Sequence, residues 1–474
     1  MTNTLSHAQK SLSTNFLNHL AQILDQNSIL IDEVALQAYS HDYTEDLAFL
    51  PQIVVLPENA EQVAAILKLC NEFKIPVTAR GAGTGLSGGS LAVFGGLVLS
   101  TEKLNRINSI DSDNFQVICE PGVINEVLQN ALSEKGLFYP PDPASKGSCF
   151  LGGNIAHSSG GPRALKYGVT KDYVLNLQVA LVSGELIWTG ANTLKNSTGY
   201  NLTQLFVGSE GTLGIVTKMV LKVISKPKQD ALLLVYFKDA SQACFAVAEV
   251  FKQGFNPSAL EFMEREAVQI SVDAMQLNFT LPEGIDAFLL IEVDGMEKED
   301  VSKQCESMAT LLYDLGAADI LFAESADEKE KIWKIRRKIG ETIKAVSIYK
   351  EEDTVVPRAT LPQLLSGVKE IGRRYGFESV CYGHAGDGNL HVNIIKGSMS
   401  DADWNNKLTF GIREIFELCK KLGGTISGEH GIGYVQKNYM DIMFSKEHLA
   451  LMQGIKKVFD PNGILNPGKI FPDK

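Results

Sequence analysis

The chain has 474 residues, 45% apolar and 21% charged, with a formal net charge of −12. That length exceeds one ordinary core, so two or more domains are expected, and the acidic balance argues against nucleic acid or an anionic membrane as a partner. Seven cysteines, scattered and without a CxxC, argue against a disulfide framework or thiolate zinc site and fit a reducing compartment. The first residues, MTNTLSHAQKSLSTNF, lack the basic and apolar parts of a secretory signal, and no apolar run approaches membrane-spanning length. A cytoplasmic location is expected, with peripheral docking at the inner face of the membrane left open.

In chain order, residues 53–57 read as a strand and 59–74 as an amphipathic helix opened by Asn59. A short strand at 75–78 leads into a glycine loop, followed by strands near 97–100 and 115–119 and a helix over 123–135. Residues 145–161 read as a second glycine- and serine-rich loop. Ser183-Gly184 then forms the turn of a hairpin, LNLQVALVSGELIWTG. The polar stretch SKPKQD at 225–230 reads as a boundary. Beyond it, strand 231–237 precedes helix 240–252, strand 287–293 helix 298–315, and strand 319–323 helix 327–346. Helix 361–375, strands 380–383 and 390–395, and helix 407–422 ending on Gly423-Gly424 complete an α+β unit. The divisions are 1–225 (core about 45–225), 226–424 and a C-terminal segment, 425–474, returning to the first domain.

Residues 80–89, RGAGTGLSGG, satisfy G-x-G-x-x-G through Gly83, Gly85 and Gly88, with Glu102 at a suitable distance for a ribose. A dinucleotide-binding Rossmann unit is nevertheless rejected. From Gly88 to Gly96 there is no room for the helical crossover of about a dozen residues that a parallel βαβ unit needs. What remains is a loop of sterically open amides that can nest a pyrophosphate. PPDPASKGSCFLGGNIAHSSGG (140–161) and GSEGTLGIVT (208–217) add two further such pieces, so a large phosphate-bearing cofactor is expected.

Three of the eight histidines lie between residues 384 and 430, in glycine-rich sequence. Strand alternation places His391 and Asn393 on one face, and His384 can converge with His391 across the turn HAGDGN. With Glu429 they make a two-histidine, one-carboxylate metal set, which suits zinc with an open position, although manganese or iron also fits. Asp387 reads as a turn former. His430, an imidazole of ordinary pKa near about 6.5, is a suitable general base.

VTARGAGTGLSGG, PDP (141–143), GGNIA (152–156) and GSEGTLGIVT together resemble the FAD-binding half of the vanillyl-alcohol oxidase / p-cresol methylhydroxylase superfamily. GHAGDGNLHVN, SGEHGIG and DPNGILNPGK resemble the FAD-linked oxidase C-terminal domain. From about residue 40 to the end, the chain resembles the D-lactate dehydrogenase, glycolate oxidase flavoprotein subunit and D-2-hydroxyglutarate dehydrogenase group. The resemblance implies a two-subdomain FAD domain of the p-cresol methylhydroxylase type and a substrate (cap) domain with an antiparallel sheet. It implies FAD contacts from Arg80, Gly81, Ala82, Gly83, Thr84 and Gly85 in the first loop. Pro141, Asp142, Gly152, Gly153, Asn154, Ser159 and Gly160 would contribute from the second. Glu210, Gly214, Ile215 and Asn466 complete the set. The first loop has no histidine, so a histidyl–flavin bond there is excluded and non-covalent FAD is expected.

The resemblance also implies His430 as base, Asn393 at the substrate, and Arg336 of WKIR as the substrate's carboxylate clamp. Arg337 and Lys338 read as a solvated face, and Arg358 as a surface arginine. Where the D-2-hydroxyglutarate enzymes carry a threonine and then a lysine for the distal carboxylate, this chain has Gly340 and either Glu351 or Lys350. That departure favours D-lactate or glycolate over D-2-hydroxyglutarate. Alkyl-glyceronephosphate synthase and a non-catalytic FAD-binding subunit are remoter alternatives, disfavoured by the intact histidine and glutamate set. The implied electron acceptor is a quinone, a cytochrome or an electron-transfer flavoprotein. A homodimer is compatible with the family.

Overall fold

The computed structural model describes residues 12–473. Most of the N-terminal stretch that lacks the features of a secretory signal, residues 1–11, lies outside them. The described chain forms two compact units: 12–159, 169–226 and 429–473 make the first, and 160–168 with 227–428 the second.

In the first unit, Asn59 caps the helix Ala60–Phe73 by accepting from the Gln62 amide at 2.9 Å. The apolar side of that helix (Val63, Ile66, Leu67, Cys70) shares a core with Ile53, Val55, Leu97 and Leu99. Each such fully buried aliphatic side chain contributes roughly 1.5–3 kcal/mol. These strands belong to a four-stranded sheet ordered Ile29–Leu30, Ile53–Val55, Leu97–Ser100, Val77–Arg80. Its last two strands are parallel, yet residues 81–96 join them without a helix. The glycine loop itself makes the crossover, with Gly83 and Gly88 at φ +73° and +71°. The motif therefore opens no helix, as its spacing requires.

A five-stranded antiparallel sheet follows, ordered Ile107–Asp111, Gln116–Cys119, Ile215–Lys222, Val174–Ala180, Leu186–Trp188. Its last pair is the expected hairpin. One expectation fails here: residues 145–161 are not loop throughout, because Leu151–His157 is helical. Gly152 is there for close packing, since a Cβ would sit 2.5 Å from the Pro121 side chain. The helix Lys446–Phe459, not anticipated, precedes the turns of the C-terminus.

The second unit is a seven-stranded antiparallel sheet, ordered Asp319–Ala323, Gln229–Phe237, Ala287–Gly295, Ala259–Glu264, Glu378–Gly383, Asn389–Ile395, Tyr349–Val355. Helices Arg265–Ala274 and Ala326–Val346 cover one face, where Trp333, Ile339 and Ile343 pack with Val268, Val272, Phe288 and Tyr382. Helices Ala240–Lys252, Lys298–Asp314 and Leu361–Tyr375 contact the sheet from other positions. Segment 160–168 belongs to this unit although both its flanks belong to the first. Among the described residues no helix is long and apolar enough to cross a membrane.

Candidate active site

The second unit gathers polar side chains on the sheet face beneath the helix Ala326–Val346. Strand pairing sets His391 opposite Tyr382 on one side and Asp353 on the other. His384 stands just past the end of its strand. A single 3-10 turn, Ala385–Asp387, and Gly388 at φ +86° bring the chain back. The two imidazoles consequently lie 5.4 Å apart, ring centre to ring centre, at 81°. Both side chains are buried. Asp387 acts as a turn residue, its carboxylate accepting from the Asn389 amide at 3.3 Å.

Asn393 lies opposite Val380 and Glu351. It is 0% exposed, and neither its amide nitrogen nor its oxygen has a hydrogen-bond partner in the protein. An orphaned buried amide costs about 1–3 kcal/mol per group, so native proteins normally match it with a ligand or an ordered water.

Arg336 reaches this face from the helix. Its Nη2 lies 2.6 Å from Glu261 Oε2, and its guanidinium lies 4.8 Å from the centre of the Tyr382 ring. Glu261 also takes the His384 Nδ1 at 2.9 Å. Since the carboxylate can only accept, Nδ1 is the donor in this pair and carries a proton. Arg336 Nη2 is also 3.5 Å from that Nδ1, which is proximity rather than a hydrogen bond. Burial opposes the Glu261 charge, but the His384 ring and the Arg336 guanidinium outweigh it and hold the carboxyl below the usual carboxylate range. Glu261 was not anticipated. The available signal was an acidic residue inside the apolar run ALEFME.

The neighbouring positions are equally specific. A Cβ at Gly340 would fall 2.7 Å from the Tyr382 hydroxyl, which would have to shift to make room for a side chain there. Glu351 has a side chain only 6% exposed, 3.5 Å from His391 Nδ1. Two cations expected at the surface are half-buried: Arg337 lies over the Trp333 ring and Arg358 over Phe251. Asp353 accepts from Ser427 Oγ at 3.0 Å and from the Gly428 amide at 2.7 Å. The residue next in the chain is Glu429, which with His430 begins the last stretch of the first unit.

In the first unit, the glycine loop meets the second loop's helix. A Cβ on Gly81 would lie 3.7 Å from Phe150 Cβ and 3.8 Å from the Gly153 nitrogen. At Gly85 and Gly153 a Cβ would meet nothing within 4 Å, leaving room for a large group. The Arg80 side chain lies beneath Gly83, 2.3 Å from where a Cβ would be. Thr84 and Ala82 share that loop. The Pro141 carbonyl accepts from Asn125 at 3.1 Å, Asp142 is buried beside it in sequence, and the Asn154 side-chain amide donates to Asn125 Oδ1 at 3.4 Å. Ser159 closes this part of the unit, whereas Gly160 falls in the other. Gly214 and Ile215 pack inward, the first 2.6 Å (as a Cβ) from Val179 and the second in the core. Glu210, at φ +51°, spends its carboxylate on the amides of Ile432 and Gly433, at 2.8 and 2.7 Å. Ser87 Oγ donates to the His430 carbonyl at 3.0 Å. Asn466, at φ +40°, donates to the carbonyls of Gly89 and Glu210. The turns holding His430 are thus anchored to the glycine loop.

Two family models match the chain: the FAD binding domain over residues 51–190 and the FAD linked oxidases, C-terminal domain, over residues 226–470. The structure of p-cresol methylhydroxylase with substrate bound superposes with a TM-score of 0.79 at 17% identity, covering 98% of each chain, a likeness of fold. By class, then, this is a flavoprotein oxidoreductase. Glycolate oxidase subunit GlcD of Bacillus subtilis (strain 168) is 38% identical over 91% of this chain and 92% of its own. D-lactate dehydrogenase of Anaerostipes hadrus is 37% identical over 97% of this chain and 98% of its own. The chain belongs to the FAD-linked oxidase family.

Proposed function

We propose that this protein oxidises a small D-2-hydroxy acid, D-lactate, or the achiral glycolate, to the 2-oxo acid. Electrons then pass to a quinone, a cytochrome or an electron-transfer flavoprotein. The observation that carries the reading is the orphaned, fully buried amide of Asn393, two residues along its strand from His391, in a unit that also pairs His391 with His384 and Arg336 with Glu261. That set offers a cation for a carboxylate and a donor–acceptor pair for a hydroxyl or carboxylate.

His384, His391 and Glu429 would hold a divalent metal, zinc by the chemistry of the donors. Glu261 fits this role for His384, since a metal-ligating histidine normally gives its other N–H to a carboxylate. Residues 81–85, 152–154 and the turns around Glu210 and Asn466 would hold FAD. When bound, the metal supplies a Lewis acid and FAD a two-electron acceptor for the hydride leaving C2. Arg336 pairs with the substrate carboxylate, Asn393 orients its oxygens, and His430 takes the hydroxyl proton. Glu351 supports a monocarboxylate, because it places a buried carboxylate across from Asn393 where a second substrate carboxylate would be repelled.

Anaerobic mixing of the holoenzyme with D- and L-2-hydroxy acids tests the reading. Flavin should bleach with D-lactate or glycolate and not with L-lactate. His430→Asn should slow bleaching about 10²–10⁴-fold while FAD stays bound. Because Arg336 also carries the Glu261 charge, Arg336→Lys is the cleaner clamp variant and should chiefly raise KM. No bleaching by any 2-hydroxy acid would refute the assignment.

A further inference from the structure

We propose that Gly160–Gly168 is a positioning strap for the substrate-binding side chains, acting through Glu292 on the Arg336 helix and through Gly386 on the His384 turn. The inference rests on the function proposed above for Arg336 and His384. Although this segment directly follows the second glycine loop in sequence, it is built into the second unit. Arg163 donates through Nε and Nη2 to Glu292 Oε1, at 3.2 and 3.1 Å. The other oxygen of the same carboxylate takes the Trp333 indole N–H at 3.0 Å. Ser258 Oγ adds a third donor at 3.2 Å. Trp333 stands one helical turn before Arg336, so the strap and the clamp helix share one buried carboxylate.

The second contact is apolar. A Cβ on Gly386 would lie 2.4 Å from Leu165 Cδ2, so the turn after His384 presses its bare backbone against the strap. Gly386 is the middle residue of the turn Ala385–Asp387, whose capping residue is His384. Lys166 and Tyr167 fix the strap's far end on the Asp294 carboxylate, Tyr167 at 2.8 Å. Glu292 and Asp294 alternate on one strand and have side chains only 6% exposed. Burying carboxylates this way adds little net stability compared with apolar packing, but it fixes direction. A segment needed only to fill space would have no use for two directed ion pairs.

The test compares holoenzyme variants by D-lactate kinetics and by amide hydrogen exchange over 332–340 and 383–391. Arg163→Met should raise KM roughly tenfold with kcat little changed, the scale carried by one hydrogen bond to a charged group. Arg163→Lys should recover part of that loss. Leu165→Ala should speed exchange over 383–391. Should Arg163→Met fail to fold, Trp333→Phe removes the indole donor to the same carboxylate from the helix side. When both fold, their KM effects should be non-additive, since both act through Glu292. Unchanged exchange over both peptides in the Arg163 and Leu165 variants overturns the strap, whatever the substrate. Faster exchange in a protein whose wild type oxidises no 2-hydroxy acid upholds the mechanical link and rejects the substrate instead.

Discussion

Glu261→Gln is the most informative single change. In the structure this fully buried carboxylate takes the His384 Nδ1 at 2.9 Å and Arg336 Nη2 at 2.6 Å. Glutamine keeps the volume, and its oxygen can still accept from Arg336. Its amide group then faces His384 as a donor, which favours the tautomer with Nδ1 bare and Nε2 protonated. The nitrogen available to a metal is thereby lost. Removing such an orienting partner typically lowers metal affinity about 10- to 100-fold. The guanidinium also loses its counter-charge, and hydrogen bonds to charged groups are worth about 1.5–3 kcal/mol each, so a lower melting temperature is expected. Glu261→Ala, which strands the guanidinium, should cost about 3–5 kcal/mol. The assay is elemental analysis of metal per FAD after dialysis against a graded chelator series. The glutamine variant should lose metal at lower chelator concentration than wild type and keep its FAD. Equal metal retention in the two proteins would refute the orientation argument.

Three other outcomes are expected. Glu351→Lys should admit D-2-hydroxyglutarate, because it replaces a repelling charge with a pairing one; steady-state kinetics with both acids should show the ratio of kcat/KM move toward the dicarboxylate, and no movement would remove Glu351 from specificity. Acid precipitation should release the yellow colour into the supernatant, as non-covalent FAD requires, and colour in the pellet would contradict it. Burial pushes Lys469 down to about 7. Its folded form therefore sheds a proton near pH 7 while the unfolded lysine keeps one until about 10.4, so this residue makes stability rise with pH across that window and destabilises most fully below it. In apo-protein, melting temperatures for Lys469→Met should lack that rise, measured against wild type at pH 6, 8 and 9.5.

The sequence pattern carried farthest where one face is apolar and the ends are marked. Asn59 opening Ala60–Phe73 and the run Ala240–Lys252 are such cases. The strand Ala259–Glu264 has every residue buried, so it shows no alternation, and its two glutamates suggest surface. Those charges are tolerated only because Arg336, His384 and Lys369 reach them from distant sequence. Glycine misled at 152, where it serves a close helix approach rather than a loop. In the site, the His384–His391 spacing across one turn was readable, because a hairpin fixes it locally. Glu261 lies 123 residues from His384, and no local pattern announces that pairing.

The chain order of the two units bears on biosynthesis. Gly160–Gly168 leaves the ribosome before any strand of the sheet it serves, and residues 429–473 follow the whole second unit although they complete the unit that 12–159 begins. At ordinary elongation rates the strap waits on the order of ten seconds to a minute before residue 428 is made. The first unit therefore cannot be completed until its last segment has been made, whereas every residue of the second has been made by residue 428. Chains cut short before residue 428 should accordingly lack parts of both units and be substrates for proteases rather than half-proteins that sequester flavin.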